Sequence, residues 1–182
     1  MSPGARLFLA VDPPASVCEQ LAGWGRGARG AAPAMRALPA ASLHITLCFL
    51  GMRPLGEVEA IGGAALGCAR PVPDLELGAP VWLPPRRPRL LAVELHDPEG
   101  KLAALQGDVA TAVSEAVDWE PEVRRYRPHI TVARMPEQRG RHRRELLATP
   151  AARFAAEGLT LYRSWLGRGG AEYEALASVV LG

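Results

Sequence analysis

The hydrophobic pattern of this chain is a series of short apolar runs punctuated by proline and glycine. Residues 6–11 contain the apolar run Leu7, Phe8, Leu9, Ala10 and Val11, which has a strand's length, and Asp12-Pro13-Pro14 closes it. Pro14-Ala15-Ser16 then opens a helical pattern, with Val17, Leu21 and Trp24 at helical spacing. Residues 25–39 are rich in Gly, Ala, Arg and Pro and predict a loop. Residues 43–50 form the clearest strand pattern, ended by Gly51 and Pro54. Residues 57–69 predict a helix with Val58, Ile61, Ala65 and Leu66 on one face, although Gly62-Gly63 weakens it. A strand at 75–83 follows, interrupted by Gly78 and Pro80.

Pro84-Pro85-Arg86-Arg87-Pro88 is the sharpest break in composition, and after it the order of elements restarts. A strand at 89–95 leads to a helix that runs to about Val117, with Asp97 as N-cap and Pro98 at its first position. A loop at 118–127 precedes a strand at 128–134, then a basic helical segment at 137–148. Residues 153–165 and 172–180 predict a final antiparallel pair around 167–170. Each half runs strand, helix, strand, helix, strand, and the second adds one more strand. The pattern predicts one bilobal domain over 1–182, an internal repeat of roughly 5–83 and 89–180, with the lobes meeting at a cleft.

One motif recurs at the same place in each half: Leu43-His44-Ile45-Thr46-Leu47 and Pro128-His129-Ile130-Thr131-Val132. Side chains alternate along a strand, so His44 and Thr46 share one face while Leu43, Ile45 and Leu47 take the other. His129 and Thr131 stand in the same relation to Ile130 and Val132. The chain has 4 histidines and five threonines, and two of those histidines carry a threonine two places on. A single His-x-Thr is a half-exposed strand with β-branched filler; a matched pair in a repeated architecture is a site.

Two histidines facing a cleft can serve as general acid and general base near neutral pH. Two hydroxyls and an arginine can hold the oxygens of an anion between them, and Arg134 follows Thr131 by three residues. No carboxylate neighbours either motif, which speaks against a His-carboxylate metal centre. Cys48 falls on the His44 face by alternation, with nothing in the sequence to activate it.

Composition narrows the field further. At 48% hydrophobic, 22% charged and net charge +2, the chain fits one folded globular unit and not a disordered one. Its apolar runs are too short for a signal peptide or a membrane span, so a cytoplasmic protein is expected. Cys18, Cys48 and Cys68 are widely spaced and predict reduced thiols. No Walker-type loop or nucleotidyl-transfer lysine motif marks an ATP-driven ligase.

The paired tetrads in a duplicated α+β chain resemble the 2H phosphoesterase superfamily. Arg6-Leu7-Phe8-Leu9-Ala10-Val11, residues 43–51 and residues 127–134 resemble the bacterial and archaeal RNA 2′,3′-cyclic phosphodiesterases, long labelled 2′–5′ RNA ligases. Leu161-Tyr162-Arg163-Ser164 and Tyr173-Glu174-Ala175-Leu176 fit that family's ending. The resemblance implies an α+β fold of two pseudo-symmetric lobes, each an antiparallel sheet with helices outside, around a central groove. It implies a monomer without metal or other cofactor, acting on RNA ends or nucleotides that carry a 2′,3′-cyclic phosphate. His44 would protonate the departing 3′ oxygen, His129 would activate water, and Thr46, Thr131 and Arg134 would bind the phosphate. Reversal would join RNA ends through a 2′–5′ bond.

Other features have plainer readings. Arg139, Arg141, Arg143, Arg144 and His142 form a basic segment that could track an RNA backbone or only face solvent. Arg86, Arg87 and Arg89 could rim the groove, and Phe8, Phe49 and Trp82 could stack on a base. His96 sits beside a helix start. Two alternatives stand beside the hydrolase: a phosphodiesterase for another small cyclic nucleotide, and a non-catalytic module that binds RNA ends.

Overall fold

The apolar run near the amino terminus becomes an inner strand, paired on both sides. The structure, a computed structural model, describes residues 4–28, 34–135, 146–167 and 170–182. Its elements are β1 (Gly4–Asp12), α1 (Ala15–Gly27), β2 (Arg36–Ala37), β3 (Ile45–Pro54), α2 (Val58–Leu66), β4 (Leu75–Leu83), β5 (Leu90–His96) and α3 (Lys101–Ala116), followed by β6 (His129–Arg134), β7 (Arg153–Phe154), β8 (Gly158–Gly167) and β9 (Gly170–Val180). The strands follow the order β7-β4-β5-β6-β3-β1-β8-β9, with β2 also on β6. Every pairing is antiparallel, and the central one, β3 with β6, consists of the single pair Ile45↔Ile130. The result is the expected α+β architecture: two antiparallel halves, one of five strands (β7, β4, β5, β6 and β2) and one of four (β3, β1, β8 and β9), that touch along one seam. α1 packs on β6, α3 on β3, and α2 on α3 and β8. Leu7 and Leu9 of β1, Leu21 of α1, and Leu102, Leu105 and Val109 of α3 belong to one buried core.

The two halves of the sequence exchange strands. β4 precedes the proline-rich break yet pairs with β5 beyond it, while β8, late in the chain, lies beside β1 with β9 outside it. The break at 84–88 is therefore a hairpin turn inside one lobe, where the Arg89 amide donates to the Leu83 carbonyl at 2.8 Å. The single strand expected at 153–165 is split for the same reason. Residues 155–157 carry the chain from one lobe to the other, with Ala156 donating to the Val72 carbonyl and Glu157 to that of Asp12.

Three local expectations change. The helix α1 continues through Gly25, because a Cβ there would come within 3.3 Å of the Val132 carbonyl; the glycine permits close approach of α1 to β6 and does not end the helix. The strand β3 runs on past Gly51, whose φ of +72° accommodates a bulge against β1 in which Leu50 is the extra residue. Asp97-Pro98 forms a turn closed by Gly100, and α3 begins only at Lys101; the Asp97 carboxylate still accepts from the Ala103 amide at 2.9 Å. The basic segment with His142 and the arginines 139–144 lies outside the described residues, and 146–150 has no regular structure. No helix among the described residues is long and apolar enough to cross a membrane.

Candidate active site

The seam between the lobes builds the site. Ile45 and Ile130 are both 0% exposed and pair across it, so their strand neighbours face the other way. In an antiparallel register that places His44 beside Thr131 and Thr46 beside His129, a pseudo-twofold arrangement on one face. Arg134, at the end of β6, lines the same cavity as His44 and Thr46.

The two imidazoles are held alike. His44 Nδ1 lies 2.9 Å from the Ser42 carbonyl, and His129 Nδ1 lies 2.8 Å from the Arg127 carbonyl. A carbonyl only accepts, so each Nδ1 carries the hydrogen and each Nε2 is left for chemistry. Burial pulls the pKa of His44 down from 6.5 to about 4; its bond to Ser42 opposes this, and the charges of Arg134 and His129 press further downward.

Nothing in the local sequence pattern points to the box of rings around His44. Phe8 lies against it with ring centres 4.8 Å apart, and Tyr173 presents its edge at 5.2 Å. Behind Phe8 stacks Tyr162 at 5.1 Å. The Tyr162 hydroxyl donates to Asp12 at 2.8 Å, and Thr160 donates to the other oxygen of that carboxylate at 2.6 Å. Arg134 Nη2 donates to the Tyr173 hydroxyl at 3.4 Å, which ties β6 to β9 across the groove. Three strands distant in sequence supply these rings. Tyr162 and Tyr173 fall within the segments that resemble the family's ending, but the resemblance assigns them no role.

A second bulge corrects the reading of Cys48. Between Leu9↔Cys48 and Ala10↔Thr46 the register slips by one residue, so Leu47 is extra and alternation fails. Cys48 thereby leaves the His44 face and pairs with buried Leu9, while Phe49, paired with Phe8, takes the site face and is 43% exposed. Burial pushes the Cys48 thiol up to about 12, so no thiolate forms near neutral pH.

Two cavities open from the seam, sharing Thr46 and Phe49. One of about 550 Å³ ends at His44 and Arg134 and is walled by Arg6, Arg163 and Trp165. The other, of about 320 Å³, ends at His129. The Arg6 guanidinium stands 4.8 Å over the Phe49 ring. Thr131 lines neither cavity; its place follows from the register. Trp82 packs against the core. Arg86, Arg87 and Arg89 are exposed and line neither cavity, and neither does His96, exposed at the end of β5. Among the described residues, no three His, Cys, Asp or Glu side chains are grouped as a metal ion needs.

The low pKa of His44 has a measurable consequence for stability. An unfolded histidine titrates near 6.5, so between that value and about 4 the unfolded chain holds the extra proton. Stability therefore falls as the pH drops through this window, by about 3 kcal/mol once complete. His44→Asn keeps an N–H for the Ser42 carbonyl but takes up no proton. Urea unfolding from neutral pH down to about pH 4 will show the wild type losing about 3 kcal/mol more than this variant. Parallel curves would mean that His44 is not held neutral.

This geometry has relatives. Residues 13–167 match the model of the 2′-5′ RNA ligase superfamily. The RNA 2′,3′-cyclic phosphodiesterase of Escherichia coli K12 is 30% identical over 181 residues, covering 97% of this chain and 96% of that protein. TT0787 of Thermus thermophilus superposes with a TM-score of 0.77 at 28% identity, over 97% of both chains. E. coli LigT complexed with 3′-AMP superposes with a TM-score of 0.73 at 25% identity, over 98% of this chain and 99% of that one. A family match across most of the chain and a relative similar along its whole length lead to one conclusion: this chain belongs to the 2′-5′ RNA ligase superfamily.

Proposed function

We propose that the protein opens 2′,3′-cyclic phosphates at the ends of RNA, or on nucleotides, to leave the 2′-phosphate. It works as a cytoplasmic monomer, without a metal ion, by two-histidine acid and base catalysis. The observation that carries this reading is the matched pair of imidazoles, each tied through Nδ1 to a carbonyl two residues upstream, which leaves two Nε2 atoms for one groove. His129 takes a proton from the attacking water, and His44 gives one to the departing 3′ oxygen. Thr46, Thr131 and Arg134 bind the non-bridging oxygens. The larger cavity, with exposed Phe49 and Trp165, lies on the His44 side, where the nucleoside and its leaving oxygen would sit. A relative of similar fold holds 3′-AMP, a ligand of the same class.

His44 is neutral in the free protein, and the substrate remedies this. A unit negative charge about 4 Å away contributes roughly 4 kcal/mol at an effective dielectric constant of about 20. That is enough to raise the pKa of His44 from about 4 back towards neutral pH, so that the ring takes up a proton. The acid is thus charged only when an anion occupies the groove. With an RNA 5′-hydroxyl in place of water, the same groups would form a 2′–5′ bond.

The test is phosphorus NMR of adenosine 2′,3′-cyclic phosphate incubated with the enzyme in EDTA. Accumulation of 2′-AMP is expected. A 3′-phosphate product would reverse the assignment of the leaving oxygen, and absence of turnover on any cyclic phosphate would overturn the reading. Comparing the mononucleotide with short RNAs separates a small-nucleotide substrate from an RNA end.

A further inference from the structure

We infer that the larger cavity holds a second phosphate subsite, in which Arg6 and Arg36 receive a phosphoryl group on the 5′ oxygen of the substrate's nucleoside. The subsite rests on the hydrolase reading, which puts the 3′ oxygen at His44, and concerns what the other end of that nucleoside meets. A 2′,3′-cyclic phosphate carries one negative charge, and Arg134 is enough to match it. The cavity offers more. Arg6, Arg134 and Arg163 line it, and among its described lining residues there is no carboxylate. Arg163 is offset by Glu174 at 3.9 Å. Arg6 makes no ion pair among the described residues.

The strand that carries Arg6 sets its distance from the acid. β1 pairs with β8 without interruption from Arg6 to Asp12, so alternation holds and Arg6 shares a face with Phe8. Phe8 lies against His44. Arg6 therefore stands about 7 Å further along β1, two residues of extended chain. A ribose with its 3′ oxygen at His44 can span that separation with its 5′ phosphoryl group. The Arg6 guanidinium lies over the Phe49 ring at 4.8 Å. Stacking occupies the flat face of an arginine and leaves its N–H donors in the plane, free for two phosphate oxygens.

Arg36 reaches the same cavity from the other lobe. It stands directly opposite Arg134 in the β2–β6 pair, so both side chains leave one face of the sheet. Its Nη1 lies 3.2 Å from the point where a Cβ would stand on Gly170, which lines the cavity. Gly170, at φ +122°, has no side chain to push the guanidinium aside. A substrate phosphorylated at its 5′ oxygen is thus preferred over a cyclic nucleotide with a free 5′-hydroxyl.

The experiment compares kcat/KM for three substrates: adenosine 2′,3′-cyclic phosphate, the same nucleotide with a 5′-phosphate, and the dinucleotide ApA ending in a 2′,3′-cyclic phosphate. The 5′-phosphorylated nucleotide is expected to be preferred over the first by about tenfold to a hundredfold, the contribution of charge-assisted hydrogen bonds. An equal preference for the dinucleotide assigns the subsite to the internal phosphodiester of an RNA end. A preference confined to the 5′-phosphate assigns it to a free nucleotide. In Arg6→Gln the preference will fall by about tenfold, and in Arg36→Gln it will fall in the same direction. Both positions are exposed, and a ratio of two rates from one preparation is not altered by an unfolded fraction. Three substrates of similar kcat/KM, or a preference unchanged in both variants, would overturn the subsite and leave the hydrolase reading standing. No turnover on any of the three would overturn that reading and the subsite with it.

Discussion

Replacing His129 by alanine will lower turnover of adenosine 2′,3′-cyclic phosphate by about 10³-fold, and His44→Ala will do the same. In the proposed mechanism each substitution removes one proton transfer from a transition state that needs two. Water attacks poorly without a base, and the 3′ oxygen leaves poorly as a bare alkoxide. His44→Asn and His129→Asn sharpen the argument. Asparagine places an N–H near the position of Nδ1 and can keep the bonds to the Ser42 and Arg127 carbonyls, but it has nothing where Nε2 was. These variants will be as slow as the alanine variants if the chemistry lies at Nε2. Initial rates give kcat, and calorimetry with 2′-AMP gives affinity, which will change much less than kcat. Either alanine variant retaining more than about a tenth of the wild-type rate would remove that histidine from the mechanism. A non-catalytic RNA-end module predicts the opposite result: 2′-AMP binding in every variant and no turnover in the wild type.

Local sequence makes the candidate reacting groups legible and hides much of what surrounds them. His44, Thr46, His129 and Thr131 stand out because strand alternation is a local rule and the same tetrad occurs twice. Cys48 shows where that rule fails. The bulge at Leu47 depends on how β3 pairs with β1, and no pattern within residues 43–50 reveals it. Phe49 gains its place on the site face from the same slip. The aromatic box lies further out of reach. Phe8, Tyr162 and Tyr173 come from β1, β8 and β9, and only long-range pairing brings them to His44. The proline-rich stretch at 84–88 is conspicuous, but its meaning depends on topology: a composition break can divide two lobes or turn a hairpin within one. Here β4 and β5 pair directly, so it turns a hairpin. Asp12, which reads in sequence only as the end of a strand, is the carboxylate that fixes Tyr162 behind Phe8. Burial raises its pKa while its bonds to Thr160 and Tyr162 hold it down.

Arg134→Met is the other substitution with a large expected effect, and it acts in two opposing ways. In the proposed mechanism the guanidinium binds the phosphate oxygens where charge accumulates, so its loss will lower kcat/KM by about 10²- to 10³-fold. Its charge also presses the pKa of His44 downward in the free protein. In the variant the His44 titration, followed by proton NMR of its ring, will therefore move up from about 4. A more easily protonated acid in a slower enzyme separates the two roles, because damage to His44 alone would not raise its basicity. Arg134→Lys will restore only part of the activity. An ammonium carries the charge but lacks the planar fork that can reach two phosphate oxygens, or one oxygen and the Tyr173 hydroxyl. Tyr173→Phe removes that tether from the β9 side and leaves the guanidinium charge in place, so its cost will be smaller and mainly in KM. A kcat/KM loss below about tenfold in Arg134→Met would mean that the two threonines and backbone amides suffice to hold the phosphate. The arginine would then be a latch between the lobes, and Tyr173→Phe would cost as much as its removal.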